Sequence, residues 1–385
     1  MGVNDRNKHR FEGMWPLPYG VSYNSYLIDD EMVALVDTVD ICYFEVYLRK
    51  IKQVIGERPI NYLIINHMEP DHSGSIRLIK QHYPEIIIVG NKQTFGMIEG
   101  FYGVTGEQYL VKEGDFLALG HHKLRFYMTP MVHWPETMMT FDETDGVLFS
   151  GDGFGCFGTV DGGFLDTRIN VDKYWGEMVR YYSNIVGKYG SPVQKALQKL
   201  GGLPISAICS THGPVWTENI AKVIGIYDRL SRYDADEGVV IAYGSMYGNT
   251  EQMAEAIAEE LSAQGVKNIV MHNVTKSHPS YIIADIFRYK GLIIGSPTYS
   301  NQIFPEVEAL LSKILLREVK GRYLGYFGSF TWAGAAVKRL AEFAEKSKFE
   351  LVGDPVEMKQ AMKDLTYTQC ENLARAMADR LKKDR

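Results

Sequence analysis

Strict alternation of short apolar runs with helical segments, which begins at Val239, is the feature that most restricts the fold. The apolar runs are VVIAY (239–243), IVMHN (269–273), GLIIG (291–295), YLGYFG (323–328) and FELV (349–352). The segments that follow them predict helices from Thr250 and near 279–289, 305–316, 334–347 and 367–381. Five strands that alternate with five helices predict an α/β domain with a doubly wound parallel sheet.

The first part of the chain mixes strands and helices without this alternation. An acidic turn joins the apolar segments 23–28 and 32–38, and a similar layout returns in ETMMTFDETDGVLFSGD (136–152). Two similar β-rich halves predict an α+β unit, and they are what an αββα sandwich, the fold implied by the resemblance described below, would produce. Since 385 residues exceed one ordinary core, we expect two domains, 1–236 and 237–385.

Composition narrows the class of protein. With 45% hydrophobic and 23% charged residues the chain is typical of a globular protein, and a net charge of −6 argues against nucleic-acid binding. No apolar run reaches 18 residues, so we expect no membrane partner and a cytoplasmic location. The four cysteines are scattered, and this spacing predicts free thiols rather than a disulfide framework or a zinc knuckle. They are Cys42, Cys156, Cys209 and Cys370.

The segment INHMEPDHSGS (65–75) has the form HxExDH and is the strongest chemical signal. It places His67, Glu69, Asp71 and His72 within six residues, directly after an apolar strand. So many ionisable groups in a tight loop are costly unless a cation compensates them. Imidazole and carboxylate ligands suit iron, zinc or manganese. The alternative interpretation is a polar surface loop.

Three later residues extend this cluster. His133, Asp152 and His212 each follow an apolar run and lie next to Gly or Pro, where a loop tip can point into a shared cleft. Together with the first cluster they give four histidines and three carboxylates, enough for two metal ions.

The second strong signal is YGSMYGNTEQMA (243–254), in which an apolar strand runs into a polar loop and then a helix. Backbone N–H groups and hydroxyls of such a loop can hold a monophosphate at the positive end of the helix. It is neither a Walker loop nor GxGxxG, and it resembles the FMN loop of flavodoxins. Its candidate residues are Ser245, Met246, Tyr247, Gly248, Asn249 and Thr250.

Two further loops leave the carboxyl ends of later strands, where doubly wound sheets bind ligands. Their candidate residues are Ser296, Pro297, Thr298, Tyr299, Ser329, Phe330, Thr331, Trp332, Ala333 and Gly334. Aromatic side chains there can stack on an isoalloxazine ring, and we expect Trp332 to contact it. The alternative for Trp332 is a hydrophobic cap on the fold.

The first domain resembles the metallo-β-lactamase superfamily, whose zinc hydrolases usually carry HxHxDH. Here Glu69 stands at the second histidine position, and an added anionic oxygen ligand favours iron over zinc. HxExDH followed by a flavodoxin-like domain resembles the flavodiiron proteins, or A-type flavoproteins.

That resemblance implies a role for each cluster residue. It implies that His67, Glu69 and His133 bind one iron, and that Asp71, His72 and His212 bind the other. Asp152 matches the bridging carboxylate. Tyr181 matches a tyrosine that donates a hydrogen bond to a bound gas, although a core aromatic is the alternative and Tyr182 lies next to it.

The resemblance also implies an activity, in which electrons pass through FMN to the two irons and reduce dioxygen to water or nitric oxide to nitrous oxide. Dioxygen, as in oxygen detoxification by an anaerobe, is the favoured substrate. A separate donor is implied, either rubredoxin, an NADH-linked reductase or a deazaflavin coenzyme, as is a head-to-tail homodimer or homotetramer. The alternatives are a zinc-dependent hydrolase with an accessory flavodoxin domain and an electron carrier with a vestigial metal domain.

Overall fold

The computed structural model describes residues 1–384 and divides into two compact units, Met1–Ser231 and a second that begins at Arg232. The domain boundary expected after residue 236 falls at the start of the first strand of the second unit. Three cysteines are buried, Cys42 is exposed, and all four are free thiols, as predicted. No helix within residues 1–384 is long and apolar enough to cross a membrane.

The first unit is a β-rich sandwich. Its strands are β1 (Val3–Asp5), β2 (Arg10–Phe11), β3 (Trp15–Pro16), β4 (Val21–Tyr23), β5 (Tyr26–Ile28), β6 (Ala34–Val36), β7 (Tyr62–Ile64), β8 (Ile87–Gly90), β9 (Gln108–Leu110), β10 (Phe116–Ala118), β11 (Lys123–Met128), β12 (Met138–Asp142), β13 (Val147–Gly151) and β14 (Ala207–Ser210). Its helices are α1 (Phe44–Ile55), α2 (Pro70–Ser73), α3 (Ile76–His82), α4 (Lys92–Tyr102), α5 (Asp172–Tyr181), α6 (Gly190–Leu200) and α7 (Ile220–Ser231).

Two five-stranded sheets form this sandwich, in the orders β5-β6-β7-β8-β9 and β10-β11-β12-β13-β14. The two acidic turns predicted from sequence connect β5 with β6 and β12 with β13, and both pairs are antiparallel. Side chains from both sheets share one core, for example Val36 and Ile64 of the first with Phe126 and Phe149 of the second. The predicted sandwich is therefore confirmed.

The second unit carries the alternating elements. Its strands are β15 (Asp236–Tyr243), β16 (Ile269–Asn273), β17 (Tyr289–Tyr299), β18 (Gln302–Ile303), β19 (Tyr323–Phe330), β20 (Glu350–Leu351) and β21 (Val356–Lys359). Its helices are α8 (Asn249–Ala263), α9 (Pro279–Arg288), α10 (Pro305–Arg317), α11 (Ala336–Ser347) and α12 (Asp364–Lys382).

The sheet of this unit runs β16-β15-β17-β19-β20, with every pair on that path parallel. The order 2-1-3-4-5 is that of flavodoxin-like folds, so the predicted doubly wound sheet is confirmed. The fifth strand differs from expectation, because two short strands, β20 and β21, replace one continuous strand beside β19. Gly353, with a φ of +70°, bends the chain between them, and Pro355 offers no N–H to a ladder.

Candidate functional sites

Strands of both sheets in the first unit deliver the seven predicted metal ligands to one edge of the sandwich. His67 follows β7, His133 follows β11, Asp152 follows β13 and His212 follows β14. Glu69 directly precedes α2, and Pro70 occupies the first helical position, where its missing N–H costs nothing. All seven side chains are buried, so the structure brings the whole predicted set together.

Four of these residues enclose a first metal-sized space. His67 Nε2 lies 3.4 Å from Glu69 Oε2 and 3.6 Å from Asp152 Oδ2. His133 Nε2 lies 3.2 Å from each of the same two oxygens. Metal–ligand bonds of about 2.1 Å place neighbouring ligand atoms about 3.0–3.4 Å apart, so these separations fit a transition-metal ion.

Asp71, His72 and His212 enclose a second space beside the first. His72 Nε2 lies 3.3 Å from Asp71 Oδ1 and 2.8 Å from Asp152 Oδ1, and His212 Nε2 lies 3.4 Å from Asp71 Oδ2. Asp152 therefore turns Oδ2 to the first set and Oδ1 to the second. A carboxylate in that position can bridge two metal ions.

Buried atoms without partners test whether metal ions fit. His67 Nε2, Glu69 Oε2, His212 Nε2 and both Asp71 carboxylate oxygens receive or donate no hydrogen bond within the described chain. Unsatisfied buried polar atoms are rare and costly. Their convergence on two shared spaces, with imidazole and carboxylate as donors, fits iron, zinc or manganese.

A surrounding set of residues orients the ligands. His67 Nδ1 lies 2.9 Å from Glu136 Oε1, which also accepts the Met68 N–H at 2.9 Å. His212 Nδ1 donates to the Ser22 carbonyl at 2.7 Å, and Thr211 Oγ1 donates to Asp152 Oδ1 at 2.5 Å. Such contacts fix the histidine tautomers and leave Nε2 of His67 and His212 directed at the spaces that the carboxylates share.

Sequence reasoning missed these supporting residues. Asp37 belongs with them, because its Oδ1 accepts the backbone N–H of Asn66 at 2.8 Å and of His67 at 3.3 Å. Asp37 directly follows β6, the same signal that pointed to Asp152 after β13, and Glu136 lies in the HWPE segment of His133. Ser22 accepts from His212 through its backbone carbonyl and from the Gly213 N–H through its hydroxyl, and the sequence carries no signal for either contact.

Without a cation, the clustered groups share protons. Burial opposes a charged His67, but the carboxylates of Asp152, Glu136 and Glu69 outweigh it and raise its pKa well above the usual value. The same competition raises the pKa of His72 and of His133 to about 9. Burial raises the pKa of Asp71 to about 7, whereas burial and the neighbouring His72 lower that of His212 to about 4.

Tyr181 lies against this cluster. Its ring centroid is 5.6 Å from that of His212 and 5.1 Å from that of Phe157. Its hydroxyl is buried without a hydrogen bond to the described residues, and burial together with the charge of Asp152 raises its pKa well above 10. One turn of π-helix begins at Tyr182, whose ring packs on Tyr227 at 5.0 Å instead.

In the second unit, a cavity of about 440 Å³ opens at the carboxyl ends of β15, β17 and β19. Its lining combines most of the predicted flavin residues with three that sequence reasoning missed, Ser300, Asn301 and Gln360. The predicted residues that line it are Ser245, Met246, Tyr247, Asn249, Thr250, Pro297, Thr298, Tyr299, Ser329, Phe330, Thr331, Trp332 and Ala333.

Three predicted flavin residues do not reach this lining. Ser296 is buried, and its hydroxyl donates to the Pro297 carbonyl and accepts the Phe304 N–H. Gly248, with a φ of +89°, instead shapes the backbone before α8. Gly334 packs against Glu357, since a Cβ there would meet a Glu357 oxygen at 2.5 Å.

The lining fits a flavin mononucleotide. Every lining residue is uncharged, so a phosphate must rely on hydroxyls, backbone N–H groups and the N-terminus of the 15-residue helix α8. Thr250 and Ser329 bring their hydroxyls within 2.8 Å of each other across the cavity floor. Trp332 and Tyr299 are 82% and 48% exposed, which leaves aromatic surfaces open for a planar ring.

Comparisons with known proteins find relatives for both units. The family described as ODP family beta lactamase matches residues 21–213, and the flavodoxin family matches residues 241–372. A rubredoxin-oxygen oxidoreductase of Megalodesulfovibrio gigas is 33% identical over 99% of this chain and 96% of its own length. A nitric oxide reductase of Moorella thermoacetica is 30% identical over 99% and 96%. The crystal structure of the flavodiiron protein from Giardia intestinalis has a TM-score of 0.92 and 26% identity, and the match covers 100% of this chain and 95% of that one.

We predict that Glu136→Gln weakens Fe²⁺ binding, because the amide keeps an acceptor for His67 but removes the charge that holds its Nδ1 proton. The loss should lie near the lower end of the ~10–100-fold range that such supporting residues show. Competition against a chromophoric chelator measures it. Glu143→Gln, a change of the same kind on a surface glutamate, should leave the affinity unchanged, and equal losses in both variants would contradict the role of Glu136.

We predict that Fe²⁺ affinity of the metal-free protein rises with pH from about 6 to 9. The metal-free form holds protons on His72, His133 and Asp71, whose pKa values are about 9, 9 and 7. Metal binding must expel them, so each step to higher pH lowers the cost. The measurement is the same chelator competition, corrected for protonation of the chelator. A flat profile across this range would contradict the prediction.

Proposed function

This chain belongs to the flavodiiron protein family, and from that premise we propose that it reduces dioxygen to water, or nitric oxide to nitrous oxide, with electrons that enter through FMN. The observation that carries the proposal is the pair of ligand sets that share Asp152. A zinc hydrolase does not need three carboxylate ligands, whereas anionic oxygen ligands favour iron in its ferric state.

In the proposed site, His67, Glu69 and His133 would hold one iron, and Asp71, His72 and His212 would hold the other. Asp152, which turns one oxygen to each set, would serve both. When bound, the iron pair supplies a place where a small oxidant can bind and accept electrons. The three carboxylates would offset the positive charge of the ions. The Nδ1–H of His212 donates to the Ser22 carbonyl and that of His67 to Glu136, so these two rings would offer the lone pair of Nε2 as a ligand.

The flavin belongs in the cavity of the second unit. Ser245 and Thr250 would bind the phosphate, and the segments 297–299 and 329–333, which also line the cavity, would contact the ring. When bound, FMN supplies one-electron and two-electron transfer. No charged side chain lines the cavity, so the protein holds the ring by stacking and backbone contacts rather than by ion pairs.

Tyr181 is proposed as the residue that donates a hydrogen bond to the bound gas. Its raised pKa keeps the phenol protonated at physiological pH, and its hydroxyl has no other partner among the described residues. The donor therefore stands ready without a competing bond to break. The aromatic rings of Phe11 and Phe157 beside it help to exclude water.

Substrate, donor and assembly are finer proposals. The relatives named above include both an oxygen and a nitric oxide reductase, and dioxygen stays the favoured prediction. Rubredoxin is the donor that the name of one relative supports, beside an NADH-linked reductase or a deazaflavin coenzyme. A head-to-tail homodimer or homotetramer and a cytoplasmic location also remain predictions.

We predict that the purified protein contains about two irons and one FMN per chain. In an anaerobic solution with a reduced donor, it should consume dioxygen or nitric oxide when either gas is added. Metal analysis, flavin absorbance and electrode recordings on one sample measure this. Asp152→Asn should lose both irons and all gas consumption while FMN content stays unchanged. Zinc in the site and no gas consumption after iron reconstitution would replace the proposal with hydrolysis.

We predict that Tyr181→Phe lowers kcat for gas reduction by roughly 10- to 150-fold, because one hydrogen bond to a charged species is worth about 1.5–3 kcal/mol. Iron and FMN content should be unchanged. Tyr182→Phe removes the neighbouring hydroxyl, whose ring packs on Tyr227, and should keep full activity. A comparable loss in both variants would assign Tyr181 to packing alone.

A further inference from the structure

A second cluster of metal-ligating side chains lies at the end of the sandwich opposite the diiron site. His122 lies in the turn between β10 and β11, Asp142 ends β12, and Asp145 lies in the turn before β13. From there β12 and β13 each run five residues toward the other edge, a distance of about 14 Å at roughly 3.4 Å per residue. The two clusters therefore share no ligand.

The geometry of this cluster suits a cation. His122 Nε2 lies 3.4 Å from Asp145 Oδ2 and 4.0 Å from Asp142 Oδ2. The first distance is the edge of a tetrahedron with bonds of about 2.1 Å. The second distance is longer, so a shared ion requires a small rotation of the His122 ring or of the Asp142 carboxylate.

Asp30 directs the imidazole toward the two carboxylates. Its Oδ2 accepts both the backbone N–H of His122, at 2.7 Å, and Nδ1–H of the ring, at 2.8 Å. Its Oδ1 accepts the backbone N–H groups of Glu31 and His121. Because Asp30 accepts the hydrogen bond from Nδ1–H, the neutral ring carries its lone pair on Nε2, which faces Asp142 and Asp145. A histidine held in this way by a carboxylate occurs in many metal sites.

Neighbouring contacts hold the turns in place. Thr144 Oγ1 accepts the Lys123 N–H at 3.2 Å and donates to the His121 carbonyl at 3.2 Å, which joins the two hairpin turns of one sheet. Asp30 belongs to the β5–β6 turn of the other sheet. The cluster therefore lies where turns from both sheets meet, in a fixed arrangement.

Charge at this cluster is not balanced by basic residues. Asp142 is buried, with its side chain 4% exposed. Its Oδ1 accepts the Thr144 N–H, whereas Oδ2 faces His122 and accepts no hydrogen bond from the described chain. Within residues 1–384 no lysine or arginine pairs with either carboxylate. Burial opposes a charged His122, but Asp30, Asp142 and Asp145 outweigh it and raise its pKa. A proton or a metal ion can thus fill the same position.

We propose that His122, Asp142 and Asp145 bind one Zn²⁺ ion, with Asp30 as the residue that positions the imidazole. One imidazole, two carboxylates and a water complete a tetrahedral coordination. The ion joins two hairpin turns of one sheet, and Asp30 connects its imidazole ligand to a turn of the other sheet. It therefore stabilises the sandwich and takes no part in gas reduction.

The experiment uses the iron-loaded protein, dialysed against low micromolar Zn²⁺ and then analysed for both metals. We expect one zinc ion per chain in addition to the iron, and an unchanged iron content. The zinc X-ray absorption spectrum should indicate one nitrogen ligand and several oxygen ligands. Asp145→Asn, on the surface, and His122→Gln should weaken zinc binding by at least the ~10–100-fold typical of a lost supporting contact. Zinc should raise the thermal unfolding temperature of the wild type and leave that of these two variants unchanged.

His121→Gln provides the matched control, because His121 is the adjacent, exposed histidine of the same turn and lies outside the cluster. It should keep the wild-type zinc affinity. Three results would overturn the proposal. They are no zinc uptake in the wild type, an equal loss in His121→Gln and His122→Gln, and uptake that displaces iron and is unaffected by Asp145→Asn. None of these results bears on gas reduction, so the two proposals fail independently.

Discussion

Three carboxylates and four imidazoles are buried together at one edge of the sandwich, and the surrounding structure is arranged around the cost of that burial. Each charge removed from water is expensive unless it is paired. The strands that end at this edge supply the ligands, and the backbone and side chains just behind them supply their hydrogen bonds. Without metal ions, protons on the histidines compensate part of the carboxylate charge, because the carboxylates raise the pKa of His67 and His72. Metal ions would take over this compensation.

The division of labour between the two units follows from their sheets. In the first, antiparallel and parallel strands place ligands from four separate segments within a few ångströms, so the site is rigid and buried. In the second, parallel strands present three loops at their carboxyl ends, so the cavity is open and lined by uncharged, partly exposed side chains. A tightly held metal pair and an accessible redox ring need these opposite environments.

The sequence predicted both folds and the seven clustered side chains because those signals are local. HxExDH lies within six residues, and the alternation after Val239 is visible in each segment. Contacts between distant segments were not predictable. Glu136 meets His67 across 69 positions, and the Ser22 carbonyl meets His212 across 190. Likewise Gln360 reaches the flavin cavity only because β21 follows a bend at Gly353. Ser296 was predicted from its loop to line the cavity, but its hydroxyl forms hydrogen bonds inside the fold.

Asp152 offers one oxygen to each metal position, and this has a thermodynamic consequence for loading. Occupation of either position orients the shared carboxylate and removes the repulsion that its free oxygen meets from Asp71 or Glu69. The affinities of the two positions are therefore coupled, and by reciprocity each ion changes the affinity for the other by the same factor. A substitution that alters one position thus also alters metal binding at the other, through the carboxylate that the two positions share.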